Sequence, residues 1–260
     1  MTNVLKVAFI QPNTVWEKPK KNRKHITEKL DELGENIDLL VLPETFTTGF
    51  TMQPQAVAES MEGKSVSWMK ELATTRDMAV TGSLIIEENG KFFNRLLFVY
   101  PDGTITPYNK RHSFSLAGED KVFTAGDKKV VVEYKGWKIC PMVCYDLRFP
   151  VWSRNAENFD VLLYVANWPK PRIQAWDTLL KARAIENMCY CIGVNRVGED
   201  AEQNEYSGNS AVYDVLGNPI SAVKTGKEHA EVVALDKKHL AFYRSKLKFL
   251  EDRDHFILKE

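Results

Sequence analysis

Two stretches of the chain, Leu39-Leu40-Val41-Leu42 and Val161-Leu162-Leu163-Tyr164-Val165, are apolar at every position. A strand with one wet face alternates apolar and polar side chains, whereas a strand without that alternation is covered on both faces. Around these runs the chain switches repeatedly between short apolar segments and amphipathic ones. Val4–Ile10 and Leu39–Leu42 flank a helical stripe of Ile26, Leu30 and Leu33, stopped by Gly34. Val66, Met69, Leu72 and Ala73 form a second stripe. A hairpin series follows: Val80–Ile86, Phe92–Tyr100 and Ile105–Tyr108, with turns at Glu88-Asn89-Gly90 and Asp102-Gly103. Val130–Tyr134 and Trp137–Val143 continue it around Lys135-Gly136. A third helix is expected over Ile173 to Asn187, with Ile173, Trp176, Leu180 and Ala184 inward, and a last hairpin at Gly217-Asn218. With at least ten strands against about four helices, one doubly wound sheet fits poorly. The expectation is an α/β fold of four layers, α-β-β-α, with two mixed sheets packed together and helices outside.

Composition removes several classes of function. Lys and Arg number 35, as do Asp and Glu, so the formal charge is zero. No basic stripe suits nucleic acid or an anionic membrane. The one basic run, Lys18 to Lys24, reads as the solvated face of a helix start. No apolar stretch approaches the roughly 20 residues of a membrane helix, and the N-terminal residues lack a signal-peptide pattern. The expected location is the cytoplasm, where the four cysteines, Cys140, Cys144, Cys189 and Cys191, stay reduced. No Pro/Gly/Ser-rich linker interrupts the chain, so residues 1–260 are read as one domain.

Five apolar runs end on a polar or reactive residue: Gln11, Glu44, Cys144, Asn167 and Asn195. In α/β architectures ligands gather at the carboxyl ends of strands. Cys144 ends a strand, a polar turn follows, and Pro150 suits the first turn of a next helix. Such a turn lifts a side chain out of its sheet among backbone N–H groups. A buried core thiol is the competing reading, and it is the one adopted for Cys140, Cys189 and Cys191. Glu44 follows an apolar run and a proline, where an unpaired carboxylate is costly. It must titrate abnormally or meet a cation, and either makes it a candidate base. Lys110 is a candidate for that cation.

The segments Leu42-Pro43-Glu44, Tyr108-Asn109-Lys110-Arg111-His112 and Val143-Cys144-Tyr145-Asp146-Leu147-Arg148-Phe149 together resemble those of the nitrilase, or carbon–nitrogen hydrolase, superfamily. The separations, 66 residues from Glu44 to Lys110 and 34 from Lys110 to Cys144, are similar too. The resemblance runs over almost the whole chain and includes Gly118-Glu119 and Tyr206-Ser207-Gly208-Asn209-Ser210. Within the superfamily the chain looks like the bacterial omega-amidases, which hydrolyse 2-oxoglutaramate. Phe46-Thr47-Thr48-Gly49-Phe50, Phe149-Pro150-Val151-Trp152-Ser153-Arg154-Asn155 and Tyr164-Val165-Ala166-Asn167-Trp168-Pro169 carry that likeness. Met188, where glutamine is frequent, and Leu247-Lys248, in place of a usual Phe-Pro, depart from it.

The resemblance implies a triad of Glu44, Lys110 and Cys144, with Glu119 as a second carboxylate beside Lys110. It implies an acyl-enzyme mechanism on a small amide, with no cofactor and no metal. It also implies a homodimer or higher homo-oligomer, with residues 237–260 as a C-terminal tail contacting the partner. An anionic substrate end needs a fixed cation, and a guanidinium fork suits a carboxylate. Arg148 and Arg172 are the candidates, with structural ion pairs, for example Arg148 with Asp146, as the alternative. Phe46, Phe50 and Trp168 are candidate apolar walls, and Tyr145, Asn167 and His112 complete the candidate substrate-binding set. Pairing of Cys144 with His112 is an internal rival to the triad. Deaminated-glutathione amidase, N-carbamoyl amide hydrolase, true nitrilase and a catalytically silent assembly protein are the other readings of the same frame.

Overall fold

The computed structural model describes residues 3–34 and 36–258. Its first half lays down β1 (Val4–Gln11), α1 (Pro19–Glu32), β2 (Leu39–Val41), α2 (Lys64–Arg76), β3 (Ala79–Glu88), β4 (Lys91–Val99) and β5 (Ile105–Asn109). Its second half adds β6 (Val132–Tyr134), β7 (Trp137–Val143), β8 (Val161–Val165), α3 (Ile173–Asn187) and β9 (Tyr190–Val194). A small hairpin of β10 (Val197–Glu199) and β11 (Glu205–Ser207) follows, then β12 (Ala211–Tyr213), β13 (His229–Asp236) and α4 (Lys237–Leu247).

The strands form a six-stranded sheet, ordered β13-β1-β2-β3-β4-β5, and a five-stranded sheet, ordered β12-β9-β8-β7-β6. Both are mixed. In the first, β1, β2 and β3 run parallel, while β13 and the β3–β4–β5 hairpins are antiparallel. In the second, β7, β8 and β9 are parallel and the two edges antiparallel. The parallel central strands are the ones whose sequences lack alternation, and β2 and β8 are buried throughout.

Burial follows the alternation of the strands around them. Leu5, Val7, Phe9, Leu39 and Val41 face the second sheet and share one core with Ile139, Met142, Leu163 and Val165. Ala8, Ile10, Leu40 and Leu42 face the other way, onto Ile26 and Leu30 of α1 and Val66, Met69 and Leu72 of α2. Trp176, Leu180 and Ala184 of α3 close the far side of the second sheet. The order of layers is therefore α-β-β-α, as expected from the sequence.

Two local expectations are corrected. No helix begins at Pro150. The chain from Cys144 to Arg148 is a 3-10 turn, and an irregular stretch continues until β8 opens at Val161; the next helix, α3, begins only at Ile173. That stretch is held by side chains instead. Asn155 Nδ2 donates to the carbonyls of Phe159 and Asn187, and the Asn155 amide donates to Asn187 Oδ1. The last hairpin does turn at Gly217-Asn218, but its return leg is a single bridge from Tyr213 to Pro219 rather than a strand.

Candidate active site

Glu44 lies just beyond β2, Lys110 just beyond β5, Cys144 just beyond β7 and Asn167 just beyond β8. Two of these strands belong to each sheet, so the site straddles the carboxyl ends of both. A cavity of about 280 Å³ opens there, lined by Glu44, Phe50, Lys110, Cys144, Tyr145, Arg148, Asn167, Trp168 and Arg172 among others. That is near the lower bound for ligand pockets and suits a small acyl group.

Lys110 is almost wholly buried and is gripped by two carboxylates. Its Nζ donates to Glu44 Oε1 at 3.0 Å and to Glu119 Oε1 and Oε2 at 2.9 and 2.8 Å. Burial works against its charge, but Glu119 and Glu44 outweigh that and its pKa is raised. Lys110 is thus a permanent cation, unsuited to take a proton. Burial raises the pKa of Glu119, an effect that the Lys110 charge partly offsets. Glu44 accepts further from Asn94 Nδ2 at 2.8 Å and from the Asn167 backbone amide at 2.8 Å. Its carboxylate is thereby fixed in orientation as well as paired.

Cys144 has a left-handed backbone, with φ of 44°. That conformation costs a non-glycine residue about 1–3 kcal/mol and persists only where its surroundings enforce it. It is partly exposed to the cavity, and Sγ lies 4.0 Å from the Asn167 carbonyl oxygen. Burial, and then the negative charge of Glu44, push its thiol well above its ordinary range. A thiol held high in this way must lose its proton to a neighbouring base before it can attack, and Glu44 is the acidic side chain beside it. Cys140 in β7, Cys191 in β9 and Cys189 just before β9 are wholly buried, as expected of core thiols.

The other sequence candidates divide. The Phe50 ring lies 5.0 Å from Lys110 Nζ, and Tyr145 packs edge-on against Phe114. Arg148 lies over the Trp168 ring at 4.9 Å and Arg172 over the Phe114 ring at 5.1 Å. Among the described residues neither guanidinium has a carboxylate partner, and Asp146 is bonded elsewhere. Phe46 does not line the cavity. It is fully buried on the α2 side of the first sheet, against Trp68. His112 is also outside the lining, with its imidazole on Asp146 and its ring stacked on Phe149 at 3.6 Å. Gln11 and Asn195 are staples instead. Gln11 holds the carbonyls of Lys224 and Lys227, and Asn195 pins the Trp168 main chain.

Three features were not read from the sequence. Asn94 bridges Glu44 and Glu119, and its signal was present: one amide among the buried apolar residues of β4. Met52, Phe114 and Leu116 add apolar lining, and Asp200, Glu202, Asn204 and Tyr206 of the β10–β11 hairpin form an acidic wall. Nothing local in the sequence brings that hairpin to the cavity.

With this geometry, comparison with known proteins is direct. The chain belongs to the carbon–nitrogen hydrolase family, whose model matches residues 6–245. It is 41% identical to "Omega-amidase YafV" of Yersinia enterocolitica over 98% of this chain and 99% of the relative. It is 31% identical to "2-oxoglutaramate amidase" of Bacillus subtilis over 95% of this chain and 96% of that protein. Its fold matches the crystal structure of XC1258 from Xanthomonas campestris, a CN-hydrolase superfamily protein with an arsenic adduct in its active site. The TM-score is 0.96 at 41% identity, covering 99% of this chain and all of that one.

Proposed function

We propose that the protein is an omega-amidase, converting 2-oxoglutaramate to 2-oxoglutarate and ammonia through an acyl-enzyme on Cys144. The observation that carries this reading is the shared cavity: Glu44, Lys110 and Cys144 converge in it, and two guanidiniums without acid partners among the described residues line it. The similarity to the two amidases named above supports the same substrate class.

In this mechanism Glu44 takes the proton of Cys144 as the sulfur attacks the amide carbon. Negative charge moves to the carbonyl oxygen, which Lys110 and the backbone N–H after Cys144 stabilise. Each such donor is typically worth about 3–4 kcal/mol. Protonated Glu44 passes its proton to the departing nitrogen, and ammonia leaves a thioester. Water attacks the thioester with Glu44 again as base, and sulfur regains the proton as the acid leaves. Glu119 keeps Lys110 charged and aimed. Arg148 or Arg172 holds the distal carboxylate.

The same reading extends to the assembly. Residues 1–260 act as one catalytic domain in a cytoplasmic homodimer. Exposed Phe242, Phe249 and Ile257 on the C-terminal segment support a tail that packs on a partner, and four free cysteines suit a reducing compartment. No helix among the described residues is long and apolar enough to cross a membrane.

The test is Cys144→Ala together with an ammonia-release screen of ω-amides, N-carbamoyl compounds and nitriles. Cys144→Ala is expected to fold and to lose turnover; retained amidase activity sinks the covalent mechanism. A wild-type preference for nitriles or N-carbamoyl compounds over 2-oxoglutaramate removes the omega-amidase assignment. No turnover on any of them favours a silent assembly protein.

A further inference from the structure

Tyr108, Lys110 and His112 stand two residues apart at the end of the first sheet. Val143, Cys144 and Asp146 occupy the corresponding end of the second. One side chain joins the two groups. Asp146 is completely buried and accepts hydrogen bonds from both. Its Oδ2 takes the Tyr108 hydroxyl at 2.8 Å and the Val143 amide at 3.0 Å. Its Oδ1 takes the His112 amide at 3.0 Å and meets His112 Nδ1 at 2.7 Å. A carboxylate has about four acceptor positions, and all four are used here.

We infer that Asp146 is a positioning residue for the reaction, setting the separation of Lys110 from Cys144 by tying the chain on both sides of the lysine to the chain on both sides of the cysteine. The inference rests on Cys144 as nucleophile and Lys110 as oxyanion donor. Three further observations support it. Asp146 closes the 3-10 turn that holds Cys144 in its left-handed conformation, since it bonds the amide immediately before that residue. The Tyr108 hydroxyl is itself fixed from behind by Trp152 Nε1 at 3.1 Å. The His112 ring is clamped flat on Phe149, with ring planes 4° apart. Every donor aimed at Asp146 is therefore rigid, and a rigid clamp transmits position. Misplacement of a reacting group by about 1 Å is enough to cost roughly a hundredfold in rate.

The test uses the full-length protein and four variants: Asp146→Asn, Tyr108→Phe, His112→Asn and His112→Leu. Asparagine at 146 has the same shape but turns an amide N–H₂ toward donors. Asp146→Asn is expected to lower kcat by roughly 30- to 300-fold with KM changed less than about threefold. Tyr108→Phe should lose less, and the double variant with Asp146→Asn should be no worse than Asp146→Asn alone, because both remove the same bond. His112→Asn, which can still present an N–H to Asp146, should retain several-fold more kcat than His112→Leu. A folded Asp146→Asn variant with kcat within twofold of wild type overturns the inference, as does a rise in KM at constant kcat. Multiplicative losses in the double variant overturn it too. If Asp146→Asn does not fold, the His112 pair decides: equal activity of Asn and Leu refutes the clamp. Failure of the underlying reading appears separately, as activity surviving in Cys144→Ala.

Discussion

Glu44 and Asn167, 123 residues apart, hold each other by both main chain and side chain. The Asn167 amide donates to Glu44 Oε2 at 2.8 Å, while Asn167 Nδ2 donates to the Glu44 carbonyl at 2.7 Å and to Thr45 Oγ1 at 3.0 Å. The proposed base is thus aimed by a residue of the opposite sheet. Asn167→Ala leaves two buried acceptors unpaired, which costs about 1–3 kcal/mol in stability, and should lower kcat at least tenfold. Asn167→Asp sets a second carboxylate against Glu44 and should be worse than Ala on both counts. Thermal denaturation and steady-state kinetics on the three proteins check the order; an Asp variant as active as Ala removes Asn167 from the aiming of Glu44.

Lys110 neutralises two buried carboxylates, and His112 touches neither. Breaking a buried ion pair from one side costs about 3–5 kcal/mol. Lys110→Gln should therefore lower the melting temperature and reduce kcat at least tenfold more than His112→Asn does. The reverse ranking in kcat favours the pairing of Cys144 with His112.

The thiol of Cys144 is held above its ordinary value of 9.0 by burial and then by Glu44. A raised thiol pKa means that thiolate accumulates only as pH climbs beyond that value. Alkylation of Cys144 by iodoacetamide should keep accelerating through pH 9, with no plateau at acidic pH of the kind a thiolate–imidazolium pair gives. Glu44→Gln removes a charge that raises the pKa, so the rise in alkylation should begin at lower pH although hydrolysis is lost. Peptide mass spectrometry should find the label on Cys144. Cys189, held up to about 12 by burial, should stay unlabelled in the folded protein. A pH profile that does not move in Glu44→Gln breaks the proposed contact between base and nucleophile.

Arg148 and Arg172 flank the aromatic walls of the cavity without acid partners among the described residues. If either holds the substrate carboxylate, its replacement by Met should raise KM for 2-oxoglutaramate by roughly one to two decades, the loss of a charge-assisted hydrogen bond. KM for a neutral amide such as butyramide should hardly change. Two Met variants that both keep KM for the keto-acid amide within twofold place the carboxylate elsewhere.

The site residues legible in the sequence are those that stop an apolar run. Glu44, Cys144 and Asn167 end buried strands, where a polar group has no cheap explanation. The same rule also picked Gln11 and Asn195, because a strand end says nothing about whether an amide faces a cavity or a loop carbonyl. Phe46 was misplaced for a local reason. Thr45 has a φ of 39°, which turns the chain so that Phe46 packs on Gly82 and joins the α2 side of the core. Sequence proximity to Glu44 carried no information about that reversal. The acidic wall from Asp200 to Tyr206 was hidden because long-range packing, rather than its own residues, brings it to the pocket. The ordered stretch after Pro150 was read as a helix because its hydrogen bonds run to Asn155 and Asn187 side chains, which periodicity does not register.

The division of the site between two sheets bears on how the chain is made. For its first 143 residues a growing polypeptide carries Glu44, Lys110 and Glu119 but no Cys144. When Cys144 emerges, Asn167 is still to come, and the outer edge of β1 stays uncovered until residues 229–236 arrive to pair with it. On the proposed mechanism, amide-cleaving power therefore appears as one late event of synthesis, and a fragment that stops before Cys144 is expected to be inactive.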